Sequence, residues 1–212
     1  MRSDHLRWAG VGCALLGSVL TVLVVVWRPL LSYDEQLAGD LHTYAVTHPR
    51  VTRLVAVLSD WVWDPWTMRA LAAVACAVLW WLGDRERAWR VALAVVAASV
   101  VQQGLKALVG RERPVWPDPV DSAQYAAYPS GHALTATVVC GLLLWLLPRP
   151  SAWAPAAWVL AVVSVLGVGF TRIYLGVHWL SDVVGGWLLG VALLALVTTV
   201  PVRRRGSAAA GP

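Results

Sequence analysis

Long apolar blocks alternate with short charged clusters along this chain. Six blocks, at about 9–31, 66–83, 88–108, 131–148, 153–171 and 177–200, are each close to the ~20 residues that a helix needs to cross a bilayer. They predict an all-α fold: a polytopic membrane bundle of six transmembrane helices in one domain spanning 1–202. A basic tail, 203–212, follows and reads as disordered. The third and fifth blocks are rich in Ala and Val, side chains small enough for close helix packing inside a bundle.

The segment between the first two blocks has a different texture. Ser32-Tyr33-Asp34-Glu35 reads as a capping box, with Ser32 as the cap and Glu35 three residues on. Apolar residues then recur at helical spacing (Leu37, Leu41, Tyr44, Ala45). This predicts a short amphipathic helix on the membrane surface, with a second short helix over Val51 to Leu58.

Composition agrees with a lipid environment. The 212 residues are 58% hydrophobic and 14% charged, with a mean hydropathy of +0.63. That is too little polar surface to clothe a soluble domain of this length. No Gly/Ser/Pro linker divides the chain. The first block, Trp8 to Trp27, is too long for a signal peptide and lacks a small-residue cleavage site, so it reads as a retained span. Cys13, Cys76 and Cys140 all fall inside apolar blocks and match neither a disulfide framework nor a zinc site.

Basic residues set an orientation. Arg2 and Arg7, then Arg85, Arg87 and Arg90, then Arg149, then Arg203, Arg204 and Arg205 all fall on one side of a six-span chain. That side should be the cytoplasm, with both termini there. Tryptophans near the block ends (Trp27, Trp66, Trp80, Trp81, Trp89, Trp145, Trp153, Trp179) fit an interfacial belt. The opposite side receives 32–65, the 109–130 loop and a short 172–177 connection. The last two carry Lys and Arg against the charge rule, and function is the obvious reason.

Three clusters lie on that outer side. In the third of them, His178 and Asp182 are four apart and share a helix face. A carboxylate beside an imidazole holds one ring nitrogen as N–H and frees the other as base or nucleophile. An interhelical hydrogen bond is the plainer alternative. Lys106, Arg113 and Arg172 can form a cationic cage for phosphate oxygens, or each can be an interfacial snorkeller. The second cluster, Tyr128-Pro129-Ser130-Gly131-His132, opens a helix. Backbone N–H groups there have no intrahelical partner and attract an anion. Gly131 allows close approach, Ser130 can cap the helix and donate to an oxyanion, and His132 can supply a proton. Nothing in the sequence groups acids as a divalent metal would need. Asp118 and Asp121, in the loop near the proposed mouth, read as solvated turn residues.

The order K-x6-RP (Lys106 to Pro114), PSGH (Pro129 to His132) and R-x5-H-x3-D (Arg172 to Asp182) resembles the three motifs of the type 2 phosphatidic acid phosphatase superfamily. This is the lipid phosphate phosphatase group, whose motifs are shared with vanadium haloperoxidases. The resemblance implies roles. His178 is the expected nucleophile that becomes a phosphohistidine, and Asp182 orients it. His132 is the expected general acid and base. Lys106, Arg113, Arg172, Ser130 and Gly131 are the expected phosphate cage. Thr171 stands where the family commonly has serine, and it keeps the hydroxyl.

The expectation is therefore a cell-membrane phosphatase for a lipid phosphate or diphosphate, with an extracytoplasmic site, no metal and no cofactor. Undecaprenyl diphosphate, phosphatidic acid and phosphatidylglycerol phosphate are candidate substrates. The bilayer and a lipid phosphate are the expected partners, with no nucleic acid and no oligomeric state implied. The alternatives are a phosphotransferase with an alcohol acceptor and a non-catalytic lipid-phosphate transporter or binder. A transporter should show inverted repeats and broken helices, and neither is visible. A haloperoxidase is disfavoured because those relatives are soluble.

Overall fold

The computed structural model describes residues 2–148 and 150–199, so Arg149 and the basic tail 203–212 lie outside the described residues. Eight α-helices are described: α1 (Arg2–Val26), α2 (Arg28–Thr47), α3 (Pro49–Val57), α4 (Pro65–Trp81), α5 (Arg85–Val109), α6 (Gly131–Leu146), α7 (Ala154–Tyr174) and α8 (Leu180–Thr199). One π-helical turn, Leu58–Val62, continues α3. There are no strands among the described residues. Four helices, α1, α5, α7 and α8, are long and apolar enough to cross a membrane. The other two candidates are shorter, with 17 residues in α4 and 16 in α6.

Helix α6 is the centre. Its residues from Ala133 to Cys140 are buried, and α4, α5, α7 and α8 all pack on it. α8 lies between α6 and α1. Glycine makes the α6–α8 approach possible. A Cβ on Gly186 would lie 2.7 Å from the Ser130 carbonyl oxygen, and one on Gly190 would lie 2.7 Å from Thr137 Cβ. At one end of the bundle Arg7 donates to the Thr199 carbonyl (2.9 Å) and Arg90 to the Val197 carbonyl (2.9 Å). These bonds tie the starts of α1 and α5 to the end of α8. The site lies at the opposite end.

Several boundaries differ from expectation. The first helix stops at Val26, because Trp27 is extended (φ −101°, ψ 95°) and Pro29 opens α2 in its first turn. Proline is favoured there because its missing N–H is unneeded in a first turn. Ser32 therefore lies inside α2 and the capping box does not form. The inner face of α2 is also shifted. It buries Asp34, Ala38, His42 and Ala45, while Tyr44 is exposed. Asp34 is ion-paired and His42 stacks on Trp116 at 4.3 Å, contacts that a count of apolar residues misses.

Capping sets other ends as the residue types demand. Asp64 accepts the N–H groups of Trp66 (2.7 Å) and Thr67 (3.2 Å) at the start of α4. Gly110, at φ 59°, closes α5 in the left-handed conformation. α7 runs to Tyr174, one turn past the expected end, which puts Arg172 in its last turn. Gly176 (φ 67°) then reverses the chain, and α8 begins only at Leu180. His178 consequently lies in the connection between helices.

Candidate active site

The structure brings the three clusters together. His178 is buried, with its ring fixed at both nitrogens. Nδ1 lies 3.2 Å from Asp182 Oδ2, and Nε2 lies 3.1 Å from Arg113 Nη1. A guanidinium only donates, so Nε2 must be the acceptor and the ring proton sits on Nδ1, facing the carboxylate. The imidazole is neutral, with a lone pair on Nε2. Burial first, then the charges of Arg113, Arg172, Lys106 and Arg111, hold it well below the ordinary histidine range.

Asp182 is fully buried and satisfied. Oδ2 also accepts the Trp179 N–H (2.9 Å), and Oδ1 accepts from Arg111 Nη1 (2.7 Å). Its own carbonyl takes the N–H of Ser130 at 2.9 Å. That backbone bond locks the start of α6 onto the start of α8. His132, two residues beyond Ser130 in the first turn of α6, is half-buried. The charges of Arg172, Arg113 and Lys106 and the His178 ring all act on it.

Ser130 occupies the N-cap position of α6, but its side chain makes no capping bond. Its Oγ is buried and has no hydrogen-bond partner among the described residues. A buried hydroxyl left unpaired is costly, and this one points to a ligand. Beside it, Gly131 leaves room for the Gln102 side chain to pack against the helix start. A Cβ there would meet the Gln102 amide, with Nε2 at 2.5 Å.

The three expected cations are present, each tethered by protein acceptors. Lys106 Nζ donates to the Ala126 carbonyl. Arg113 Nη1 donates to the Val177 carbonyl (2.5 Å) as well as to His178, and its Nε and Nη2 reach the carbonyls of Tyr125 (2.9 Å) and Gln124 (3.0 Å). Burial and then the nearby Arg172 charge bring the Arg113 guanidinium down to about 10, which leaves it charged at neutral pH. Arg172 Nη1 donates to Ser59 Oγ (2.8 Å) and Asp60 Oδ1 (3.2 Å), and its Nε is buried with no partner among the described residues.

One expectation needs correction. Asp121 is not a solvated turn residue: it is mostly buried, with Oδ2 3.5 Å from Arg172 Nη1. Asp118 is exposed, as expected. Trp179, half-buried, also has partners within the protein. Its indole donates to the Glu112 carbonyl (2.9 Å) and lies under the Arg111 guanidinium at 5.7 Å.

Sequence reasoning missed Arg111, the cation that holds Asp182, and Asp34, which holds Arg111 at 2.8 Å. Arg111 lies inside the first motif. Its signal is a second arginine two residues before Arg113 with no place in the cage. Asp34 carries a weaker signal: it shares a stripe with Ala38 and His42 that proves to face inward. Among the described residues no three His, Cys, Asp or Glu side chains cluster so as to hold a metal ion.

Comparison with known proteins places this geometry. The chain is 42% identical over 74 residues to an undecaprenyl-diphosphatase of Sulfolobus acidocaldarius, covering 35% of this chain and 31% of that protein. It is 35% identical over 97 residues to phosphatidylglycerophosphatase B of Bacillus subtilis, covering 44% and 47%. The matched stretches thus span less than half the length of these curated relatives. A crystal structure described as the first transmembrane PAP2 type phosphatidylglycerolphosphate phosphatase, from Bacillus subtilis, shares the fold. Its TM-score is 0.77 at 23% identity, over 90% of this chain and 94% of that one. The model of the PAP2 superfamily matches residues 87–205, more than half of the sequence and all three motifs, and the chain belongs to that superfamily.

Proposed function

We propose that this protein is an integral membrane phosphatase that hydrolyses a lipid phosphate or diphosphate through a phosphohistidine on His178. The observation that carries the reading is the state of His178. It is a neutral imidazole, protonated at Nδ1 against Asp182, with its other nitrogen facing a cluster of cations. The motif relatives that are named phosphatases support the same chemistry.

The phosphoryl group enters between Nε2 and the cations, and Arg113 trades the ring nitrogen for phosphate oxygens. Lys106, Arg172, Ser130 Oγ and the Gly131 N–H hold the remaining oxygens, where helix α6 favours negative charge. The Nε2 lone pair attacks phosphorus while the bond from phosphorus to the leaving oxygen breaks. His132, entering this step as the imidazolium beside the bound phosphate dianion, gives its proton to that oxygen and becomes neutral, and Asp182 stabilises the positive charge that develops on the His178 ring. Neutral His132 then takes a proton from water. The resulting oxygen nucleophile attacks phosphorus, the P–N bond breaks, and inorganic phosphate leaves. Each step is stabilised by fixed cations and amides.

We further infer that α4 and α6 cross the bilayer along with the four longer helices, which gives six spans. Both termini are then cytoplasmic and the site is extracytoplasmic, level with the headgroups and flanked by α2. The arginine-rich turn at Arg85, Arg87 and Arg90 supports this orientation. Undecaprenyl diphosphate, phosphatidic acid and phosphatidylglycerol phosphate are the substrates to try first.

The test is phosphate release by detergent-purified protein in EDTA on those three lipids, wild type against His178→Ala. Release that persists in EDTA and vanishes in the variant supports the reading. Equal activity in both proteins would sink it.

A further inference from the structure

Asp34 sits on α2, yet it is almost completely buried against the start of α8. Its Oδ1 accepts the Ser181 N–H at 3.0 Å. Oδ2 accepts Arg111 Nη2 at 2.8 Å and also the Ser181 hydroxyl. The same Arg111 turns its other nitrogen, Nη1, to Asp182 Oδ1 (2.7 Å) and Ser181 Oγ (2.6 Å). One guanidinium is thus clamped between two buried carboxylates, the second of which faces His178 Nδ1. The line of contact runs Asp34, Arg111, Asp182, His178.

A tether for α2 does not need this. Burying an ionised carboxylate carries a desolvation cost that packed apolar side chains avoid. The arrangement has a chemical consequence instead. Attack by Nε2 puts positive charge on the His178 ring, and Asp182 stabilises that charge through Nδ1–H. Arg111 on its own would oppose this, because it is a full positive charge on the other oxygen of the same carboxylate. Asp34 balances Arg111 and fixes the direction of its fork.

We propose that Asp34 is a positioning residue of the reaction: through Arg111 it keeps the Asp182 carboxylate aimed at His178 and free to stabilise the ring as it attacks. The inference rests on the phosphohistidine reading. It predicts an effect on the chemical step, since Asp34 touches no part of the cage.

The test compares wild type, Asp34→Asn, Arg111→Gln and the double variant on a lipid phosphate, with His178→Ala as control. Asn keeps an oxygen for the Ser181 N–H, removes the charge and puts an NH2 in place of the oxygen that accepts from Arg111 and Ser181. Asp34→Asn should lower kcat ~10–100-fold, as loss of an outer partner of a reacting group does, with KM within about twofold. Phosphohistidine formation in a single turnover should slow by the same factor, measured below the apparent Tm of each variant so that folded protein is compared. In the Arg111→Gln background the Asp34→Asn change should cost less than about threefold, because the line is already cut. The double variant carries a neutral amide pair, so this comparison survives if the single variant does not fold. Wild-type kcat in Asp34→Asn, a full additional loss in the double variant, or a raised KM with kcat retained would each overturn the proposal. If His178→Ala remains active, the phosphohistidine reading fails and the proposal with it. If His178→Ala is dead and Asp34→Asn is not impaired, only this proposal fails.

Discussion

Arg113 Nη1 and His178 Nε2 are 3.1 Å apart, so the arginine proposed for the cage rests on the nitrogen proposed to attack. A phosphorus atom in line with Nε2 must come between them. The guanidinium then meets phosphate oxygens in the geometry its planar fork suits. Arg113→Ala should therefore lower kcat by ~10²–10³, about the loss of one oxyanion donor, and Arg113→Lys should restore only part of it. Steady-state phosphate release checks both variants.

Ser130→Ala separates binding of the phosphate from stability. The Ser130 hydroxyl bonds to none of the described residues, so its removal forfeits no internal bond. Apparent Tm in detergent should stay level or rise slightly. The hydroxyl's bond to a charged phosphate is worth ~1.5–3 kcal/mol, so kcat/KM should fall ~10- to 150-fold. A parallel fall in Tm would show that the side chain is a structural cap after all.

Gly176 controls where His178 lies. It has φ 67°, and a Cβ there would come 2.5 Å from Trp116 Nε1, the atom that donates to the Gly176 carbonyl at 2.9 Å. Gly176→Ala should destabilise the protein by ~1–2 kcal/mol for the left-handed backbone alone. It should also reduce kcat, since His178 is two residues on. Thermal unfolding and turnover measured on the same sample check this.

The buried histidines set a pH dependence of stability. His178 titrates well below the ordinary histidine value because of burial and its cationic neighbours, and burial lowers His42 as well, with Asp118 opposing. Below about pH 6.5 the unfolded chain binds more protons at these rings than the folded chain does. Stability must then fall as pH falls, by up to about 1.4 kcal/mol per pH unit for each such ring. Apparent Tm between pH 7.5 and pH 5 should drop less steeply in His178→Asn than in wild type.

The bundle and most of the site were legible because their signals are local. Block lengths, the three motifs and the glycine before His132 all follow from neighbouring residues. The pairing of His178 with Asp182 was legible from their four-residue spacing, although His178 stands before α8 and not on it. What stayed hidden depends on contacts distant in sequence. Asp34 meets Ser181 across 147 residues, and this partner decides that α2 turns a charged stripe inward. Asp121 read as a solvated acid because its partner Arg172 comes from α7, 51 residues further along the chain. Proline decided the start of α2 over the serine cap, a competition between two local signals that the sequence does not rank. The absence of a bond from Ser130 could be seen only in three dimensions.

The central claim is a covalent bond between phosphorus and His178, and a rapid-quench trap tests it directly. Purified protein would be mixed with a lipid phosphate carrying radiolabelled phosphorus, stopped in alkali within one turnover, and digested for mapping. The account predicts label on the peptide that contains His178, stable in alkali and lost in acid, and absent from His178→Ala. Full turnover with no label on that peptide, or label that persists in His178→Ala, would contradict it.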